Sequence, residues 1–144
     1  MMDCGKSSFL YCKLVEEKKI FNSISVEFDI CELEGNLLIS GLVNKGIEID
    51  VATNELLSEI NNFVHSINEQ ELIKAKNNLK MEYLCDTLDL VNCSDVIANS
   101  FVVDDMNYIN DYTSRIDCVR IEEIKHLSEK IFTTGNKIVF KYKN

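Results

Sequence analysis

The chain lacks the residues that usually separate domains or lead a protein into a membrane. It has no proline among its 144 residues and no glycine- or serine-rich linker, which predicts a single domain over residues 1–144. No apolar run approaches the about 18 residues that a membrane-spanning helix needs, so we expect no membrane partner. Residues 1–8 match neither a secretory signal nor an arginine-rich transit peptide, because the first arginine is Arg115.

Clustered metal ligands are missing as well. The two histidines, His65 and His126, lie far apart, whereas a zinc site needs roughly three or four ligands. H-L-S-E at residues 126–129 begins an H-x-x-E-H inverted zincin motif, but Lys130 stands at the second histidine position, and a cation there repels a metal. No local pattern pairs a serine or cysteine nucleophile with a histidine base. We therefore predict no metal ligand, no catalytic residue and no cofactor in this chain.

The cysteines form no C-x-x-C pair and are too sparse for a disulfide scaffold. We interpret all six as reduced, mostly buried thiols of an intracellular protein: Cys4, Cys12, Cys31, Cys85, Cys93 and Cys118. Gly5-Lys6-Ser7 resembles the end of a phosphate-binding loop, but the earlier glycine and the preceding strand of that motif are missing. A helix start capped by Ser7 or Ser8 is the simpler interpretation.

Acidic residues dominate the charge. Asp and Glu number 24 against 15 Lys and Arg, which gives a net charge of -9. Such a surface repels nucleic-acid phosphates and anionic lipids and attracts cationic peptides. An ordinary solvated acidic surface explains the same numbers, and we favour that explanation.

The hydrophobic pattern predicts a helix, a β-hairpin, several helices and a last strand. Residues 6–19 form the first helix, with Leu10 and Leu14 on one face. Residues 22–33 alternate, which places four apolar side chains on one buried strand face: Ile24, Val26, Phe28 and Ile30. A turn at Glu34-Gly35-Asn36 leads to the returning strand at residues 37–43.

Helical spacing governs the next part of the chain. The first of these helices carries Ala52, Leu56, Ile60, Phe63 and Ile67. Asn68 caps the second and longest helix, with Glu71 three residues on, and we expect this helix to cover the apolar strand face with Leu72, Ala75 and Leu79. Three shorter helices come next. The first follows Ser94 and the second begins at Asp104 or Asp105. The third carries Ile121, Ile124, Leu127 and Ile131. Residues 137–142 alternate as a closing strand. The predicted class is α+β, with helices packed on one face of an antiparallel sheet.

Three stretches resemble the pitrilysin/insulinase family of zinc peptidases, which includes the mitochondrial processing peptidase. S-S-F-L-Y-C-K-L-V-E-E-K at residues 7–18 is similar to the family's S-S-R-L-x-x-x-L-R-E-x-x helix. E-Q-E-L-I-K-A-K-N-N-L-K at residues 69–80 is similar to T-E-E-E-L-x-R-A-K-N-Q-L-K, and R-I-D-C-V-R-I-E-E-I at residues 115–124 is similar to R-I-D-A-V-T-A-E-D-V. The three lie in the family's order with similar spacing and cover nearly the whole chain.

The resemblance implies the metallohydrolase-like fold of a non-catalytic C-terminal peptidase domain, truncated at its front, where the family's leading strand and helix are missing. In the family, an N-terminal domain carries the H-x-x-E-H zinc site, and related C-terminal domains close the chamber and hold the peptide. The family's substrate-binding arginine and tyrosine are Val15 and Asn22 here, Lys19 replaces a usual glycine, and Phe9 replaces an earlier arginine. Valine cannot form arginine's fork with a carbonyl or carboxylate, so the resemblance leaves the substrate-binding residues unknown.

The implied function is that of a non-catalytic subunit or domain of a processing-peptidase-like metallopeptidase, of the presequence-processing class, with zinc only in a catalytic partner. Two alternatives stay open: a purely structural homologue, like a core protein of a respiratory complex, and a stand-alone protein-binding module without activity. We expect a protein partner, either a catalytic peptidase subunit or a second copy that covers an open sheet edge. The implied location is intracellular, in a mitochondrion or a related organelle, and otherwise in the cytoplasm.

Overall fold

The computed structural model describes residues 8–30, 35–102, 105, 107–134 and 137–142. Within these residues the fold is α+β, as predicted, with a two-stranded antiparallel sheet. The strands are β1 (Phe21–Ile30) and β2 (Gly35–Val43), and π-helices occupy Cys12–Glu17 and Lys130–Thr134. The α-helices are α1 (Phe9–Tyr11), α2 (Ile49–Ser66), α3 (Glu69–Leu88), α4 (Leu90–Val102), α5 (Tyr108–Cys118) and α6 (Ile121–Glu129).

The chain clusters into two compact units. The first comprises Met1–Ile67 with Lys125–Asn144, and the second comprises Asn68–Ile124. The prediction that the helix carrying Leu72, Ala75 and Leu79 covers β1 concerns both units, and it stays a prediction, as does a single domain over residues 1–144. Leu72 and Ala75 are buried, but Leu79 is 44% exposed, so its place in the buried stripe is wrong.

The first helical segment begins at the predicted cap. The Ser8 hydroxyl accepts a hydrogen bond from the Tyr11 amide at 3.4 Å, and α1 leads directly into the first π-helix. Leu10 and Leu14, the two predicted core residues, are both fully buried. The Phe9 ring contacts the Phe63 ring of α2, with 5.5 Å between the ring centroids. These contacts pack the segment against α2 in the first unit.

The β-hairpin confirms the predicted phase of alternation but corrects how much of the apolar face is covered. Val26 pairs with Ile39 and is 2% exposed, whereas Phe28 pairs with Leu37 and is 59% exposed. The prediction that Phe28 is buried is therefore wrong. Alternation determines which side of a strand is apolar, but a neighbouring element must cover each residue to bury it, and the packing of the first unit reaches Val26 without covering Phe28.

The predicted turn is also corrected. Gly35 and Asn36 belong to β2, where they pair with Ile30 and Asp29, so the ladder continues past the position expected for the turn. Glu34 lies outside the described residues. Further along β2, Gly41 lies under the ring of Phe21, since a Cβ atom at residue 41 would stand 2.7 Å from that ring. Glycine is required here by close approach, because Phe21 is 4% exposed and has little room to move.

The second unit starts as predicted and then departs from the prediction. The Asn68 side chain accepts the Glu71 amide at 3.1 Å, which caps α3. The next helix, α4, begins at Leu90, ahead of Ser94, because the Asp89 carboxylate accepts the Val91 amide at 2.8 Å and so provides an earlier cap.

The predicted cap of α5 is wrong. Asn107 is the N-cap residue, and its side chain makes no capping bond. Asp105 instead directs its carboxylate to Arg115, at 2.6 Å; Asp104 lies outside the described residues. The α6 helix has a capping bond that the hydrophobic pattern does not reveal, in which the Glu123 carboxylate accepts the Arg120 amide at 2.8 Å.

Residues 137–142 do not form the predicted closing strand. They carry no secondary structure, and no described residue pairs with them in a sheet. Ile138, Phe140 and Tyr142 are exposed, while Lys141 binds the Asp50 carboxylate at the first turn of α2, at 2.5 Å. Alternation alone makes a segment suitable for a sheet, but a strand forms only where a second strand supplies backbone partners.

Candidate functional site

The positions of the family's substrate-binding pair lie at the junction between the first π-helix and β1. Val15 belongs to the π-helix and is half-buried. Asn22 is exposed and is the extra residue of an irregularity in the ladder between Phe21 and Ser23. Neither side chain carries a charge, so the junction has no fork for a peptide carboxylate at these two positions.

Lys19, in the same junction, has an unusual backbone conformation. Its φ angle is 52°, in the left-handed region that costs a non-glycine residue roughly 1–2 kcal/mol. This is the position at which the resembling family usually has glycine.

A network of charges joins this junction to α2. Lys18 Nζ lies 2.6 Å from a carboxylate oxygen of Glu55 and 2.6 Å from one of Glu59. The Glu59 residue is 5% exposed, and Asn62 donates a further hydrogen bond, of 3.4 Å, to its second oxygen. Like the contact between the Phe9 and Phe63 rings, this network of charges stabilises the packing of the first helical segment against α2.

Lys18 and Glu59 shift each other's pKa. The hydrogen bond from Lys18 lowers the pKa of the Glu59 carboxyl below its ordinary 4.5, against the opposing effect of burial. The hydrogen bonds to Glu55 and Glu59 raise the pKa of Lys18 above 10.5. Both groups therefore stay charged at neutral pH, so Glu59 is not a proton donor and Lys18 is not a neutral amine nucleophile.

In the second unit, two of the family-like stretches contact each other. Lys76 donates hydrogen bonds to the carbonyl oxygens of Asp117 and Val119, at 3.0 and 2.6 Å. Lys80 lies 2.5 Å from the Asp117 carboxylate. The two lysines lie in A-K-N-N-L-K of α3, and the acceptor groups lie in R-I-D-C-V at the end of α5. At the end of a helix the last carbonyl oxygens have no partner within the helix, and cations there interact favourably with them. These residues hold α3 to α5.

An aromatic cluster lies beside that contact. The Tyr83 and Tyr112 rings stack with centroids 4.2 Å apart, and Tyr108 meets Tyr112 edge-on at 5.5 Å. The Arg115 guanidinium lies 5.3 Å from the centre of the Tyr108 ring and pairs with Asp105. Cation–π and ionic contacts thus assign Arg115 a local structural role.

The hydroxyls of Tyr83 and Tyr112 are not activated. Burial raises the pKa of Tyr83 and of Tyr112 above the ordinary 10.0, so both stay neutral at physiological pH. The Tyr83 hydroxyl donates to the Ile109 carbonyl at 2.8 Å. The cluster therefore provides aromatic rings for stacking and one hydroxyl that already has a hydrogen-bond partner. Neither Tyr83 nor Tyr112 is a tyrosinate that could take part in catalysis.

The remaining candidates from the sequence lie apart from any ligand set. In the described ranges, no three side chains of His, Cys, Asp or Glu come together as a possible metal site. His65 and His126 are both exposed. Cys85 and Cys118 are exposed free thiols, which corrects the expectation that the thiols are mostly buried, and Cys93 is half-buried. Cys4 and Cys31 lie outside the described residues.

Apolar side chains are exposed along one part of the second unit. Those on α3 and α4 that remain at least two-thirds exposed are Leu88, Leu90, Val91, Phe101 and Val102. Leu88, Leu90 and Val91 lie where α3 meets α4, and Phe101 and Val102 lie at the other end of α4. Apolar side chains with this exposure are typical of surfaces that contact another protein. No helix among the described residues is long and apolar enough to cross a membrane.

A shallow depression of about 300 Å³ lies on the hairpin. It is lined by Ser23, Ile24, Ser25, Ser40, Gly41 and Leu42, and the hydroxyls of Ser25 and Ser40 share a hydrogen bond of 2.7 Å. No lining side chain is ionisable, so the depression offers polar contacts without a general acid or base.

No protein-family model matches the chain, and no curated protein sequence matches it. A solved structure does: the chain superposes on a protease from Helicobacter pylori with a TM-score of 0.74 and 20% sequence identity. The match covers 88% of this chain and 31% of that protease, so the chain spans less than a third of the protease's length. At this identity the likeness establishes the fold, and the chain has a peptidase-like α+β fold.

Proposed function

We propose that the chain is a non-catalytic subunit or domain of a processing-peptidase-like zinc metallopeptidase of the pitrilysin/insulinase type. The observation that carries the proposal is a peptidase-like fold in which two of the stretches that resemble the family contact and stabilise each other. Lys76 and Lys80 of one stretch bind the end of the helix that carries Arg115 and Asp117 of another. The full sequence contains no H-x-x-E-H motif.

The catalytic partner and this chain have different roles in the proposed complex. Zinc, when bound in a catalytic partner, supplies the activated water of peptide hydrolysis. This chain contributes wall surface to the chamber and a net charge of -9, which favours cationic peptides such as presequences over nucleic acids. Val15 and Asn22 cannot orient a peptide as an arginine and a tyrosine would, so contacts to the substrate come from other residues.

The exposed apolar side chains of α3 and α4 support a protein partner. Leu90 is 88% exposed and Phe101 is 72% exposed, and a catalytic subunit that covers them would remove this apolar area from water. We place the complex inside the cell, in a mitochondrion or a related organelle, in line with the processing-peptidase resemblance.

Affinity capture of the tagged chain from its source cells tests the proposal. We expect a co-purifying protein with H-x-x-E-H, and we expect Phe101→Ser to reduce its recovery by tenfold or so, the scale of about 1.4 kcal/mol in a buried contact. Asn99→Ser, on the same helix and also exposed, is the matched control and should leave recovery unchanged.

Two outcomes would contradict the proposal. Capture of respiratory subunits in place of a zinc peptidase would favour the structural homologue, and a stable chain that retains nothing would favour the stand-alone module. Fractionation of the same cells tests the location, and a wholly cytoplasmic distribution would exclude the organelle.

A further inference from the structure

Residues 137–142 have the pattern of a strand without a partner strand. Ile138, Phe140 and Tyr142 alternate with Lys137, Val139 and Lys141, and the exposed fractions of the first three are 76%, 90% and 83%. In an extended chain this alternation places the three apolar side chains on one face and both lysines on the other. A segment of this kind is stabilised when it joins the edge of a sheet.

The hairpin offers two edges, and charge distinguishes them. Within the described part of the chain, the sheet contains β1 and β2 alone, so the outer edge of each strand is unpaired. The β2 sequence, G-N-L-L-I-S-G-L-V, has no charged residue, whereas β1 contains Glu27 and Asp29 and no cation. The segment K-I-V-F-K-Y at residues 137–142 has two lysines and no acid. Its charge complements β1.

The two faces of β1 also match the two faces of the segment. Ile24, Val26 and Phe28 lie on one face of β1, with Phe28 left 59% exposed. Ser25 and Glu27 lie on the other face and are exposed. A strand added beside β1 would place its apolar side chains next to Phe28 and its lysines next to Glu27, which are favourable cross-strand neighbours.

We propose that residues 137–142 of one copy add as a strand to the outer edge of β1 in a second copy, and that the exchange is reciprocal. The result is a two-fold symmetric dimer in which each copy donates one strand and accepts one. In its own copy the segment pairs with neither strand, and Lys141 is held by Asp50 at the start of α2. This inference is independent of the proposed peptidase role.

Two variants with opposite charge changes test the proposal. When the two variant proteins are mixed, favourable charge contacts can form again between two copies, but none can form again within a single copy. Lys137→Glu places a carboxylate on the donated strand against the carboxylate of Glu27, and Glu27→Lys places an ammonium on the accepting edge against the ammonium of Lys137. Each variant alone is expected to be a monomer. In an equimolar mixture, residue 137 of each donated strand faces a residue 27 of opposite charge, so the mixture is expected to form a heterodimer.

Light scattering coupled to size exclusion measures the outcome. We expect the wild-type chain to have roughly twice the 16.5 kDa mass of one copy at micromolar concentration, each single variant to have the mass of one copy, and the mixture to regain the larger mass. Higher salt should weaken the dimer, because the complementary charges are exposed. Both substituted residues are exposed, and a cooperative thermal transition of each monomer confirms that it is folded.

A backbone variant provides an independent test. Val139→Pro removes an amide and blocks the ladder, so it should abolish the dimer, while Val139→Thr should retain it. The proposal is overturned if the wild-type chain stays monomeric, if Val139→Pro leaves the dimer intact, or if mixing the two charge variants produces no dimer.

Discussion

Replacing Lys18 with methionine tests how the first helical segment is held to α2. The substitution keeps most of the side-chain length but removes the ammonium that lies 2.6 Å from both Glu55 and Glu59. The Glu55 carboxylate is 39% exposed and can regain water, whereas the Glu59 side chain is only 7% exposed. The cost of the variant therefore falls mainly on Glu59.

Its magnitude follows from the burial of the two partners. A hydrogen bond to a charged group contributes about 1.5–3 kcal/mol, and removing one partner of a fully buried ion pair costs about 3–5 kcal/mol. The Lys18 side chain is 36% exposed, so solvent already screens part of the interaction. We expect Lys18→Met to lower the free energy of unfolding by about 1.5–3 kcal/mol, which corresponds to a melting temperature lower by roughly 5–10 °C.

Thermal denaturation followed by circular dichroism measures the loss, with two companion variants. Lys13→Met removes the exposed ion pair with Glu17 and should have a smaller effect, because water and salt screen that pair. Glu59→Leu added to Lys18→Met should recover most of the loss, since no buried charge then lacks a partner. Equal losses from the two lysine variants, or no recovery in the double variant, would refute the reasoning.

The pH dependence of the same variant has a defined sign. Because the pKa of Glu59 is lowered in the folded state, its contribution is present above its ordinary 4.5 and is lost as the pH falls through the folded value. Because the pKa of Lys18 is raised, its contribution is complete below 10.5 and is lost at higher pH. The stability difference between wild type and Lys18→Met should be largest around neutral pH, shrink at acidic pH as Glu59 is protonated, and shrink above 10.5 as Lys18 loses its proton.

Substitutions at four further positions test the hairpin and the α3 cap by urea denaturation. In the monomeric Val139→Pro background, Val26→Asp should cost about 3–5 kcal/mol because it buries a charge, whereas Phe28→Asp should cost less than about 1 kcal/mol because residue 28 is exposed in a single copy; equal costs would show that the strand face is covered differently. Gly41→Val should cost about 1–3 kcal/mol, since its Cβ would stand 2.7 Å from the Phe21 ring, and an unchanged midpoint would show that the ring can move aside. Asn68→Ala should cost about 0.5–2 kcal/mol through loss of the α3 cap, while Asn68→Asp should be near neutral; an unchanged Ala variant would show that the cap is dispensable.

Local patterns in the sequence predicted the local features of the fold. The alternation around Val26, the cap at Asn68 and the burial of Leu10 all depend on residues within a few positions of one another, so the sequence pattern contains them. The class α+β follows from the same short-range pattern, whereas the hairpin register does not, because Gly35 and Asn36 pair with β1 at the position where the turn was expected. Such patterns do not show how many residues of an apolar strand face are covered by a neighbouring element, as the exposed Phe28 shows.

The residues that organise the candidate site could not be found in this way. Lys18 and Glu59 are 41 positions apart, and each is an ordinary charged residue on a helix until the fold brings the two together. Their one sequence signal was the spacing of Glu55 and Glu59, which lie four residues apart and therefore on one face of α2. The contact of Lys76 with the end of α5 likewise spans 41 positions, although both of its sides lie in stretches that the family resemblance identified.

Reconstitution with the catalytic partner tests the central claim, that this chain serves a peptidase without performing the chemistry. Zinc content and cleavage of a cationic presequence-like peptide are measured for this chain, for the H-x-x-E-H partner captured with it, and for the complex of the two. We predict no stoichiometric zinc and no cleavage for this chain alone, one zinc in the complex, and rapid cleavage only when both chains are present. About one zinc retained by the isolated chain after dialysis, or full activity of the partner without this chain, would contradict the account.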